Sequence, residues 1–340
     1  MNDFTKITLG CVGVFASLTA QCVTVNTSDK STDTTVPTDV ITEPVTTQPV
    51  DTAPIVITAG DYHPTSFTTL IFQDEFNTFD RSKWCTRMPY GGGPALQVDD
   101  ADCKKTKGGG TLDFLNNEQQ RYRDTNTQGI ALHTITDGVL NLSSTKTYLN
   151  NSWVQYESAM VRSKQLFAMD KPLYFVARIN PPDVIGSWPA FWLIPTDGWP
   201  PEIDIADLAY NGKDDKNTFF HLGAIPSNQK ANVTYKDSKW ESTWSNWIWD
   251  ESLKNRWITI GAQVNTDSIC YYLYAEKTES LKEIPNTKIK CEDYSWKYKD
   301  SSPALPANII INLAMGGDWA GRYGIAGPAT FKIDYVRAYQ

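Results

Sequence analysis

The chain has 340 residues, 41% hydrophobic and 21% charged, with a formal net charge of −8. That balance excludes a wholly disordered, collagenous or many-span membrane protein, and the acidic surface disfavours a polyanionic nucleic-acid partner. Aromatic residues make up 12%, with 12 Trp and 16 Tyr. A buried indole N–H needs a partner, so this surplus points to a Trp-rich core or to an open groove that stacks rings with an apolar face.

In chain order, Ile7 to Ala20 is an apolar run of signal-peptide length. Residues 1–22 are read as a signal peptide or N-terminal anchor, with Ala20 as the small cleavage-site residue and Cys22 as a lipidation candidate. Residues 23–60 are Thr, Val, Pro and Asp with almost no aromatic side chain. Such a stretch buries too little apolar surface to offset its ordering entropy, which predicts a disordered linker. Residues 61–340 carry the folded domain.

In that domain short runs alternate apolar and polar residues, at 138–144, 173–179, 257–264, 270–274, 309–313 and 331–339. Gly, Pro, Asn and Asp punctuate them, and no long segment shows a 3.6-residue apolar stripe. The pattern predicts an all-β sandwich of two antiparallel sheets. Four of the six Cys lie in the domain: Cys85, Cys103, Cys270 and Cys291. The absence of a Cys-x-x-Cys pair and the presence of only three His argue against a zinc site. In an exported chain, proximity favours Cys85–Cys103 and Cys270–Cys291, one of three possible connectivities.

The most informative segment is Trp199 to Leu208, WPPEIDIADL. Alternate strand residues share a face, so Glu202 and Asp204 point one way while Ile203 and Ile205 point to the core. Strict alternation sends Asp207 inward, where an unpaired carboxylate is costly. A β-bulge near Ala206 would return it to the acidic face. Carboxyl pairs on an open face suit glycosidic bond cleavage, one attacking and one donating a proton. A solvated acidic strand or part of a Ca²⁺ loop fits the same spacing.

EIDIAD resembles the E-x-D-x-x-E signature of glycoside hydrolase family 16, in its laminarinase-like, β-bulge form. Further matches keep the family's order: FQDEF at 72–76 with Lys83-Trp84, NNEQQRY at 116–122, WPAFWL at 188–193, HLG at 221–223, NLAMGGDW at 312–319 and DYVRAY at 334–339. The resemblance covers residues of about 70 to 340. It implies a β-jelly-roll sandwich with a concave cleft for a β-glycan, a retaining endo-β-glycanase acting on β-1,3- or mixed-linkage glucan, and no cofactor for catalysis. Carried over, Glu202 is the nucleophile, Asp204 the assisting acid and Asp207 the acid/base. The family has Glu at the last position, and a misplacement of about 1 Å can cost on the order of a hundredfold in rate. Glycan binding without turnover, and cell-wall transglycosylation, therefore stand as alternatives.

The same resemblance places Trp188, Trp192 and Trp319 as sugar platforms. It places Arg178, Asn117 and Asn312 as partners of sugar hydroxyls, and His221 beside the nucleophile or a sugar. Glu75 and Asp334 would meet around a structural Ca²⁺, whose hard oxygen ligands they could supply. Trp199 and the cluster of Tyr235, Trp240, Trp244, Trp247 and Trp249 are read as cleft rim, extra platform or packing. The expected partner is a β-glycan, with membrane contact only through an N-terminal anchor, and the expected state is an exported monomer.

Overall fold

The structure is a computed structural model that describes residues 64, 66–86, 88, 117–147, 154–195, 201–212, 219–225, 244–248, 253–266, 268–275, 288–293, 296, 304–321 and 324–340. The chain divides into Met1–Pro49 and Val50–Gln340. The leader and linker expected over residues 1–60 lie outside the described residues.

The strands run β1 (Leu70–Asp74), β2 (Trp84–Cys85), β3 (Gln120–Tyr122), β4 (His133–Thr136), β5 (Val139–Ser143) and β6 (Thr145–Lys146). They continue with β7 (Tyr156–Ser158), β8 (Met160–Ser163), β9 (Leu173–Asn180), β10 (Ser187–Pro195), β11 (Glu202–Asp207) and β12 (Phe219–Ile225). The last six are β13 (Trp244–Ile248), β14 (Ile258–Val264), β15 (Ser268–Ala275), β16 (Lys288–Asp293), β17 (Ala307–Met315) and β18 (Thr330–Tyr339). A four-residue helix, α1 (Gly317–Ala320), separates β17 from β18. Every run read from the sequence as a strand is one.

Among the described residues these strands form two large antiparallel sheets and one small sheet. The first is ordered β16-β15-β14-β9-β18-β5-β4, with β1 also on β18. The second is ordered β13-β12-β11-β10-β17-β8-β2. The small sheet is β3-β7-β6, with β3 and β7 parallel.

Alternation explains why the large sheets pack face to face. From β9, Phe175, Ala177 and Ile179 enter the core, and from β14, Ile258, Ile260 and Ala262 join them. From the second sheet come Phe191 and Leu193 of β10 and Ile309, Ile311 and Leu313 of β17. All are fully buried, and the apolar area they remove from water drives the association. The architecture is the all-β two-sheet sandwich that the alternation predicted.

One turn and one close approach of backbone fix local geometry. Asp137 (φ 52°) and Gly138 (φ 74°) join β4 to β5 with Thr136 opposite Val139. Positive φ at both positions is the hairpin turn whose twist matches the strands. Gly316 (φ 70°) lies against Gln119, whose Oε1 would stand 2.3 Å from an added Cβ. Cys85 and Cys270 each take part in a disulfide bond, and Cys270 opposes Cys291 across β15 and β16. Cys103 lies outside the described residues.

Candidate active site

The site is built on β11 and its neighbours. Across β10, Trp192 opposes Asp204, Phe191 opposes Ala206 and Ala190 opposes Asp207, with a register shift between Phe191 and Trp192. Across β12, Asp204 opposes Gly223 and Asp207 opposes His221, so three steps on β11 meet two on its neighbour. The extra residue is a β-bulge at Ile205-Ala206. Ile203, Ile205 and Ala206 all enter the core. With two consecutive residues turned inward, Asp207 returns to the face of Glu202 and Asp204, as the sequence required.

Burial sets the electrostatics of the three acids. Asp204 is 5% exposed, and its Oδ2 has no hydrogen-bond partner among the described residues. Desolvation pushes its carboxyl well above the usual range, and the charges of Glu202 and Asp207 and a hydrogen bond with Glu202 add to this. Asp207, also 5% exposed, is pushed up to about 7. Desolvation is the main cause; the Trp188 hydrogen bond opposes it, and the Glu202 charge reinforces it. Glu202 is half-buried at the rim. One carboxylate beside two acids that hold their protons is a pairing able to attack a carbon and protonate a leaving oxygen.

Of the three Trp expected as sugar platforms, Trp188 and Trp192 are each only 6% exposed and offer no open face. Trp188 is buried, and its Nε1–H donates to Oδ1 of Asp207. Its ring packs against Trp319 of α1, with centroids 6.3 Å apart at 35°. Trp319 itself is half-buried. Trp192 is buried, and its Nε1–H donates to Oδ1 of Asn312 at 2.7 Å. Asn312 in turn donates from Nδ2 to the Tyr122 hydroxyl at 3.0 Å. Asn312 thus braces the floor under Trp192 and does not present a free amide to hydroxyls. Tyr122 was missed in the sequence, as were its neighbours Glu118 and Gln120. Glu118 is buried, accepts from Gln120 Nε2 at 2.5 Å and helps hold the Tyr122 phenol well above its ordinary value, after burial itself. All three lie in NNEQQRY, so the motif was visible while the individual roles were not.

Other expected site residues separate. Asn117 is exposed on the turn before Glu118, with φ 58°. His221 is placed by its backbone opposite Asp207, and its side chain lies outside the described residues, as do Trp199 and the side chains of the 235–249 cluster. Arg178 requires a correction. It sits on β9 in the other sheet, on the same face as Tyr174 and Val176, which pack outside the main core. There it pairs with Asp334 at 2.6 Å and lies over the Trp257 ring at 4.4 Å. Alternation therefore turns it away from the acidic strand.

The Ca²⁺ expectation is also corrected. Glu75 takes two hydrogen bonds from Arg337, at 2.7 and 3.0 Å, while Asp334 pairs with Arg178. The two carboxylates are neutralised by different guanidinium groups. Among the described residues no group of three or more His, Cys, Asp or Glu is arranged to hold a metal ion. These residues do not fit the six to eight oxygens that Ca²⁺ takes.

Comparison with known proteins agrees with the fold. No family model matches the chain. The chain is 29% identical to endo-1,3-1,4-β-glycanase EglC of Rhizobium meliloti over 221 residues, which covers 60% of this chain and 39% of that protein. It is 28% identical to glucan endo-1,3-β-glucosidase A1 of Niallia circulans over 294 residues, 80% of this chain and 38% of that protein. The chain spans about two fifths of the length of these curated relatives. Among solved structures it resembles SCLam, a non-specific endo-β-1,3(4)-glucanase of family GH16. The TM-score is 0.56 at 22% identity, over 85% of this chain and 94% of the other. The two chains share the β-jelly-roll fold.

Proposed function

We propose that this chain is a retaining endo-β-glycanase that hydrolyses β-1,3- or mixed-linkage β-glucan. One observation carries the reading: the bulge in β11 brings Glu202, Asp204 and Asp207 to one face, with Asp207 able to hold its proton up to neutral pH. Glu202 attacks the anomeric carbon as Asp207 protonates the departing oxygen, giving a glycosyl-enzyme. Asp207 then removes a proton from water, which releases the sugar with retained configuration. Asp204, protonated, donates to Glu202 and fixes its orientation. The half-buried Trp319 offers a face for a sugar ring, and the exposed Asn117 is the proposed partner of its hydroxyls. The protein named in the GH16 comparison acts on β-1,3(4)-glucan, which supports the choice of substrate.

The same reading makes the chain an exported monomer. The leader-like run at Ile7 to Ala20 supports export, and so do the disulfide-bonded Cys85 and Cys270. The proposed pairs are Cys85–Cys103 and Cys270–Cys291.

The test is a polysaccharide panel assayed for new reducing ends. Laminarin or mixed-linkage glucan should be shortened, and Glu202→Gln should abolish this while leaving binding nearly intact. The short side chain of Asp207 favours one second reading, glycan binding without turnover. That reading predicts retention on the polysaccharide with unchanged chain length. Lengthened oligosaccharides would mark transfer to a sugar acceptor.

A further inference from the structure

We propose that Trp188 is a positioning residue for Asp207: its indole N–H anchors one carboxylate oxygen, and Trp319 holds the indole in place. This deepens the glycosidase reading and rests on it for its kinetic consequences. The contact itself does not depend on that reading.

Three observations converge. First, Trp188 has no open face for a ring. It is 6% exposed, and Ala314, Ala320, Ala209 and Trp319 pack against it. A sugar platform needs an exposed face, and in this pair only Trp319 is partly open. Second, an indole nitrogen can only donate, and this one donates to Oδ1 of Asp207. That oxygen is tethered, and Oδ2 is left as the oxygen that carries the mobile proton. Third, the anchor is built into the sheet. Trp188 stands two residues before Ala190, the residue opposite Asp207, so the two side chains are diagonal neighbours on one face.

The anchor matters because position 207 is Asp. A side chain one methylene shorter than Glu cannot search for the leaving oxygen, so its carboxyl must be held where the backbone delivers it. A glutamate at 207 would carry its carboxyl beyond the indole. A sugar stacked on Trp319 would press on the Trp188 ring behind it, linking occupancy of that platform to the position of the proton donor. Among the described residues the ionisable groups beside Asp207 are Glu202 and Asp204 on its own strand, and the backbone of His221 lies opposite it across the pairing with β12. None of these is altered by a change at Trp188.

The experiment uses Trp188→Phe, which keeps an aromatic ring and removes the N–H. Carboxyl-carbon NMR titration of the aspartates, with the Asp207 signal assigned by Asp207→Asn, should show its midpoint rising by about 1–2 pH units. On soluble glucan, kcat should fall by roughly 10- to 100-fold with KM nearly unchanged, since the lost bond serves the transition state. The same change made in an Asp207→Glu protein should have little effect on kcat, and this non-additivity marks a direct coupling.

An unmoved Asp207 midpoint overturns the proposal. So does a KM rise at constant kcat, which would make Trp188 a sugar platform, or an equal kcat loss in the Asp207→Glu background, which would make its role general packing. If Trp188→Phe does not fold, the unaltered protein still decides. The Trp188 indole proton resonance should move through the Asp207 midpoint, and indifference to it rejects the contact. If no polysaccharide yields reducing ends, the glycanase reading fails, while the two NMR measurements still judge the anchor.

Discussion

An aspartate that must donate a proton near neutral pH needs help, because its ordinary value of 3.8 leaves it almost fully ionised there. Burial supplies that help at Asp207, and the nearby Glu202 charge adds to it. The sign of the effect fixes the pH profile. The acid form is active, and raising its value to about 7 extends that form upward. We expect kcat/KM on soluble laminarin to fall about tenfold per pH unit above roughly pH 7, the behaviour of a single required acid. A descending limb near pH 4 would show that Asp207 keeps its ordinary acidity and would remove it as the donor. At this scale the sequence spoke through residue type and said little about neighbours. Asn312 and Trp188 sit on the expected face, yet their polar atoms are used within the protein, on Trp192 and Tyr122 and on Asp207. No spacing rule carries that information, because the partners come from β10, β11 and β3.

The bulge in β11 is what makes three acids neighbours, and it has a packing requirement. Ile205 and Ala206 both turn inward at one strand step, and both are fully buried. Two large side chains cannot share that space, which explains the alanine. Ala206→Leu should overpack the core at a cost of about 1–3 kcal/mol, read as a lower midpoint in urea denaturation. It should also lower kcat by displacing Asp207. Wild-type stability together with wild-type activity would show that the bulge has slack. This element was legible beforehand, because a carboxylate in the inward register is too costly to leave there. The strands were legible for the same reason: alternation reports a half-buried face directly. Arg178 was misplaced because alternation gives two faces without saying which sheet a strand joins. β9 and β10 both read as apolar strands, but they lie in different sheets, and the resemblance alone assigned Arg178 to the cleft. The Asp137-Gly138 turn was available as a hairpin signal and follows from the positive φ that both residues accept.

At the scale of the whole molecule, the arrangement that favours chemistry works against folding. Asp204 and Asp207 both hold protons more tightly in the fold than in the unfolded chain. Between about pH 4 and pH 7 the folded protein therefore binds more protons than the unfolded one. Stability from these two groups is complete below their unfolded values and is lost as pH rises through their folded ones. Replacing Asp207 by Asn keeps the shape, retains an acceptor for the Trp188 N–H and removes the charge. The variant should be more stable than the natural protein at pH 8, by an amount on the order of a few kcal/mol. At pH 4 the difference should nearly vanish, because the natural side chain is then protonated in the fold. Urea midpoints at the two pH values measure the contrast directly. Equal midpoints at pH 8 would mean that Asp207 ionises in the fold at no cost, and burial would then not be what keeps its proton in place.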